Sequence, residues 1–184
     1  VTFLAPSAGV QWAGGDSINV QIAATDREEG SLGAARLSWW VVLHHGSHTH
    51  PFHPSMPGNT GILGIPRVGH SESDVFLRVY ARAEDAAGLA DTAFVDLQPQ
   101  LGELTLTSEP SGLQVALDGQ PRVTPYAEAV IVGVQRALRP VDPQEMGATA
   151  FSFREWSDGA GFERQLIMPA GAVTLLAHFD SVGA

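Results

Sequence analysis

Five histidines fall within ten positions, at His44, His45, His48, His50 and His53, and a sixth, His70, follows seventeen residues later. Neutral imidazole is the commonest protein ligand for zinc and copper. His48 and His50 stand two residues apart, so an extended backbone would point both to one side. His44 and His45 end the apolar run Leu37-Ser38-Trp39-Trp40-Val41-Val42-Leu43. Density and spacing together predict a transition-metal site drawn from His44, His45, His48 and His50, with zinc or copper the ions suited to it. Four ligands would close the site, whereas three would leave a position open, and only an open position supports chemistry.

Two further groups could hold a ligand. Asp26, Glu28 and Asp85, with Asp16, Glu29 and Asp91, lie in turn-rich sequence. Where such turns meet at one end of a β-sandwich, their carboxylates suit calcium, which takes about six to eight oxygens. The same residue types also form turns for backbone reasons alone. Aromatic rings make the second group. Trp12, Trp40 and Phe52 are candidate platforms for a sugar, whose apolar ring face packs on an aromatic face. Trp39 and Trp40 are adjacent in an extended run and must face opposite ways. Trp39 shares its side with Val41 and Leu43 and is assigned to the core. Trp40, with His44 on its side, is assigned to a ligand.

The elements that must position these residues read as strands and turns. Ile18, Val20 and Ile22 alternate, as do the apolar residues of the run from Val75 to Ala83, and turn clusters such as Gly14-Gly15-Asp16 punctuate the chain. No amphipathic helix of ordinary length is found. The fold class is therefore all-β, as two tandem sandwich domains of immunoglobulin/PKD-like type, 1–98 and 101–181, joined by the short linker Gln98-Pro99-Gln100. Residues 44–69 read as one long polar loop, which a bound metal would tie down. In the second domain the alternating Leu113-Gln114-Val115-Ala116-Leu117 runs into Asp118-Gly119, a hairpin turn signal.

Several strings resemble a known family. Ala24-Thr25-Asp26, Leu37-Ser38-Trp39, Val42-Leu43-His44-His45, His48-Thr49-His50-Pro51-Phe52 and Ala83-Glu84-Asp85 are similar to the PKD-like domain C-terminal to secreted bacterial PQQ-dependent glucose/sorbosone-type dehydrogenases. Pro110-Ser111-Gly112-Leu113, Asp118-Gly119, Thr124-Pro125-Tyr126 and Trp156-Ser157-Asp158-Gly159 resemble its small companion β-module. The chain departs from that pattern at Trp40, at Gly46, and at His53 and His70. The resemblance implies export, a covalently linked catalytic domain, and no catalytic residue in this stretch.

Composition narrows the classes of function. A formal charge of -10 with ten arginines, no lysine and no basic cluster disfavours nucleic acid and anionic lipid as partners. No apolar run is long enough to span a bilayer, and Val1-Thr2-Phe3-Leu4-Ala5-Pro6 resembles no export signal, so the sequence is expected to start inside a mature chain. With no cysteine there is no disulfide, thiolate ligand or thiol nucleophile. Ser47 and Ser71 adjoin histidines without a nucleophile-elbow setting. The expectation is a secreted, non-catalytic accessory module that binds a polysaccharide or cell-surface glycan, with its histidine loop clamped by metal. A ligand-free spacer and a copper- or zinc-dependent enzyme are the alternatives.

Overall fold

A computed structural model describes residues 1–69 and 71–182 and divides them between two compact units. His70, one of the six clustered histidines, lies outside the described residues. The first unit comprises Val1–Pro66 and Asp74–Gln100, and the second comprises Arg67–Ser73 and the chain from Leu101. The described residues are all-β apart from one 3-10 turn, Ala34–Arg36.

The first unit holds β1 (Thr2–Ala5), β2 (Gln11–Trp12), β3 (Ser17–Ala23), β4 (Thr25–Asp26), β5 (Gly30–Ser31), β6 (Leu37–His45), β7 (His48–Pro57), β8 (Thr60–Gly64), β9 (Val75–Glu84) and β10 (Ala90–Pro99). They form a three-stranded sheet ordered β1-β3-β8, a five-stranded sheet ordered β2-β10-β9-β6-β7, and the ribbon β4-β5. β6 and β9 carry the clearest alternation: Leu37, Trp39, Val41 and Leu43 are buried, as are Val75, Leu77, Val79, Ala81 and Ala83, while the residues between them are half-buried. Period-2 patterning of this kind sorts a strand into a core face and an outer face. The two larger sheets meet through Trp39, which is 1% exposed and lies so close to Gly61 of β8 that a Cβ at Gly61 would overlap the indole. The layering is sandwich-like.

The stretch expected to be a long loop is structured. β6 and β7 form a hairpin through the two-residue turn Gly46-Ser47, with Gly46 at φ 51, and β8 follows after Gly58-Asn59. Three prolines, Pro51, Pro54 and Pro57, hide this strand from sequence inspection because proline interrupts a β ladder. β7 tolerates them as the outermost strand of its sheet, where one side of the backbone needs no partner. Two register shifts, between Trp39 and Val41 and between Val41 and Val42, further break its alternation. A backbone ladder pairs this segment, through β6–β7 and then β3–β8. The expected linker is likewise reduced to Gln100, whose N–H donates to the Trp12 carbonyl at 2.8 Å.

The second unit contains β11 (Leu101–Glu109), β12 (Gln114–Leu117), β13 (Gln120–Val123), β14 (Tyr126–Ile131), β15 (Gln135–Pro140), β16 (Gln144–Met146), β17 (Thr149–Trp156), β18 (Arg164–Ile167) and β19 (Ala172–Val182). Its sheets are ordered β14-β11-β19-β17-β16 and β13-β12-β15-β18. One apolar cluster draws on both, including Leu104, Leu106, Val115, Leu138, Trp156 and Phe179. Asp118 and Gly119, at φ 49 and 80, make the two-residue hairpin turn between β12 and β13 that their sequence announces. Trp156 anchors this core at 1% exposure, with the Arg164 guanidinium 5.5 Å from its ring centre and paired to Asp158.

Candidate functional site

The outer face of the β10-β9-β6-β7 sheet concentrates aromatic side chains. Register places Phe94 of β10 opposite Tyr80 of β9, and Tyr80 opposite Trp40 of β6. Residues paired across strands share a face, so the three rings form a rank over three adjacent strands. Trp40 and Tyr80 stack with centroids 4.9 Å apart and planes at 6°, and Phe94 lies 6.1 Å from Tyr80. A parallel rank pairs His44 with Phe76, stacked at 4.4 Å and 13°. Phe94 remains 54% exposed, and Trp40, Tyr80, Phe76 and His44 are half-buried.

Between these ranks runs a charged pair. Arg78 Nε and Nη2 donate to Asp96 Oδ1 and Oδ2 at 2.7 and 2.8 Å, and the guanidinium carbon lies 4.0 Å over the Phe94 ring and 5.6 Å from that of Phe76. The Arg78 hydrogen bonds hold the Asp96 carboxyl below its ordinary range, against a smaller opposing effect of burial. A carboxyl depressed in this way stabilises the fold above its ordinary pKa and loses that contribution as pH falls through the lowered value. Asp96→Asn is therefore expected to have a melting temperature less sensitive to acid than the native chain as pH falls below the ordinary carboxylate range. Thermal melts of both proteins over that fall in pH check this, and parallel pH profiles would contradict it.

Beside Trp40 the β6–β7 bulges open a groove of about 430 Å³, lined by Trp40, Val42, Thr49, Pro51, Pro54 and Ser55 together with parts of Val41 and His53. One face of the Trp40 ring is covered by Tyr80, so its other face is the one available to the groove. The lining is mostly apolar with two hydroxyls, Thr49 and Ser55, at hand. Phe52, the residue at the register shift, is half-buried and does not line this groove. Trp12 is no platform either: it is 3% exposed in the core, where its indole N–H donates to the Leu97 carbonyl at 3.0 Å. Its place on a short strand at the sheet edge, parallel to β10, buries the ring.

The histidines divide between the two faces of the hairpin. His44 lies on the outer face with Trp40, flat against Phe76, and so leaves the expected ligand set. His45 pairs with His48 and Leu43 with His50, so His45, His48 and His50 share the core-side face beyond the buried Leu43. His45 Nδ1 and His48 Nε2 are 3.3 Å apart, and one ring nitrogen from each of the three residues lies within 4.8 Å of the others. His53, opposite Val41, stacks on Trp39 at 4.8 Å and 17°.

No three of the acidic groups among the described residues bring ligand atoms close enough to share an ion. Among the described residues, His45, His48 and His50 form the one group of three or more potential ligands close enough to share an ion. Asp26 Oδ1 accepts the backbone N–H groups of Glu28 and Glu29, both at 2.8 Å, which hold its pKa below the ordinary value. Asp85 Oδ1 accepts the Leu89 N–H, and Glu29 Oε1 accepts the Ala86 N–H. The turns carrying Asp26 and Asp85 do meet, through Glu29, yet their carboxylates cap local backbone. Asp26 and Asp85, with Asp91, line one pocket of about 190 Å³, and Glu28 does not line it.

Tyr80, Phe94, Phe76 and Arg78 escaped the sequence reading although their signal was present. In a strand whose odd positions are all apolar and small or branched, an aromatic at an even position faces outward. Comparison with protein-family models, curated proteins and solved structures finds no match for this chain.

Proposed function

We propose that the chain is a non-catalytic, carbohydrate-binding part of a larger secreted bacterial protein, built as two tandem β-sandwich domains of immunoglobulin/PKD-like kind. The covalently linked catalytic domain would supply the chemistry, and this part would hold it at a polysaccharide or cell-surface glycan. Support for the larger context comes from the PKD-like and Trp-Ser-Asp-Gly strings. Binding is carried by one observation, the outward rank Trp40–Tyr80–Phe94 with a groove at the open face of Trp40.

Rings set side by side across a sheet make a firm apolar ledge at little cost in side-chain freedom, because an aromatic has few rotatable bonds. A pyranose ring stacks on such a ledge through its C–H face while its hydroxyls meet groups at the rim. Thr49 and Ser55 stand there. Arg78 is engaged by Asp96 and offers no spare charge for an anionic sugar, and the net charge of -10 repels one. Neutral glycans are therefore the ligand class.

Native gels containing soluble glucan, xylan or mannan test the reading. Retardation in at least one of them, relative to a gel without glycan, is the expected result. Unretarded migration in all three would overturn it and return the pair of units to a spacer role.

A further inference from the structure

We infer that His45, His48 and His50 form a binding site for a divalent transition metal, zinc or copper, with coordination positions left open to solvent or a small ligand. The site is independent of the glycan reading, since it lies on the opposite face of the hairpin from Trp40.

Two uses of histidine coexist in this hairpin, and their geometry separates them. His44 and His53 lie flat on Phe76 and Trp39, the posture of imidazole used as apolar packing. His45, His48 and His50 instead cross at steep angles, His48 against His45 at 73° and against His50 at 84°, and one ring nitrogen from each comes within 4.8 Å of the others. With metal–nitrogen bonds of about 2.0–2.1 Å, two ligand atoms on a tetrahedral ion lie about 3.3 Å apart. His45 Nδ1 and His48 Nε2 are at 3.3 Å. The third nitrogen, within 4.8 Å of both, needs only a side-chain adjustment.

The backbone makes this set rigid. The Gly46-Ser47 turn fixes the register that places His45 opposite His48, and the next pair on the same face brings His50 opposite Leu43. An i, i+2 pair on one strand and a partner from the other is a compact way for a β-hairpin to supply three donors from one face. No fourth carboxylate or imidazole joins them among the described residues. His48 is exposed, with His45 and His50 half-buried, so an ion held by the three would lie near the surface of the described residues. Three imidazoles with an open place match the donor set of zinc and copper, not of calcium or magnesium.

The test uses the untagged full chain stripped with EDTA, then titrated with Zn²⁺ by isothermal calorimetry. One equivalent per chain is expected, with a raised melting temperature in the loaded protein. His48→Ala, at the exposed member, and His50→Ala should each weaken Zn²⁺ binding at least tenfold. His44→Ala and His53→Ala, in the same stretch but packed on aromatic rings, should bind as the native chain does, and melts of the metal-free variants report that each is folded. Absence of saturable binding overturns the site. Equal weakening by His44→Ala, His53→Ala and His48→Ala also overturns it, because diffuse chelation by a histidine-rich segment would behave that way. Openness has its own readout. Adding azide to the Co²⁺-loaded protein should shift its visible spectrum, and an unchanged spectrum would make the site closed.

Discussion

Trp40→Ala is expected to reduce glycan affinity at least tenfold while leaving the chain folded. The indole contributes one free aromatic face to the groove between β6 and β7, and burying an aromatic surface of this kind is worth on the order of 1.5–3 kcal/mol. Each 1.4 kcal/mol is a factor of ten in affinity. The substitution also removes the stack on Tyr80, an aromatic pair worth about 0.5–1.5 kcal/mol beyond its area burial, so the variant should melt below the native chain but remain folded. Affinity electrophoresis and a thermal melt on the same sample separate the two effects. Retention equal to that of the native protein would place the glycan contact elsewhere, with Phe94 the next residue to replace.

Trp39→Ala, one residue earlier, should do the reverse and cost the fold about 3–5 kcal/mol. That is a large part of the roughly 5–15 kcal/mol by which domains are stable. Trp39 is 1% exposed, fills the space above Gly61 and carries His53 stacked on its ring, so truncation leaves a cavity bounded by both sheets. For domains of this size each kcal/mol shifts the midpoint by about 4–8 °C, and the melting temperature should fall by more than about ten degrees. Trp39→Phe should cost far less. The Trp39 indole N–H is buried and meets no acceptor among the described residues, so phenylalanine gives up volume but also removes an unsatisfied donor. A melt of Trp39→Ala within a few degrees of native would show that Trp39 is not the keystone of this unit.

The adjacent tryptophans show how a strand serves two purposes at once. Period-2 geometry lets one face of β6 build the core through Leu37, Trp39, Val41 and Leu43, while the other presents Trp40, Val42 and His44. The rank of rings on the outer face rests on that core, which supplies the rigidity an aromatic ledge requires.

Local signals in the chain were enough for the all-β class, for Trp39 and Trp40 facing opposite ways with Trp39 in the core, and for the Asp118-Gly119 turn. Each depends on backbone sterics or on alternation within a few residues, and both are written in consecutive positions. The β6–β7 hairpin was not legible. Its prolines are tolerated only because β7 is an outermost strand, and strand order is a property of the sheet, not of the segment. Membership of the histidine set was decided the same way. His44, His45, His48 and His50 are equivalent ligands in sequence, and the register His45 opposite His48 assigns three to one face and His44 to the other. Tyr80 and Phe94 come from strands far along the chain and join Trp40 only through pairing across β9 and β10. Composition and local periodicity thus determined the all-β class and, in the regularly alternating strands such as β6 and β9, which way each residue faces. Which residues become neighbours was left to strand order, register and bulges, because long-range hydrogen-bonded pairing depends on partners that no single stretch contains.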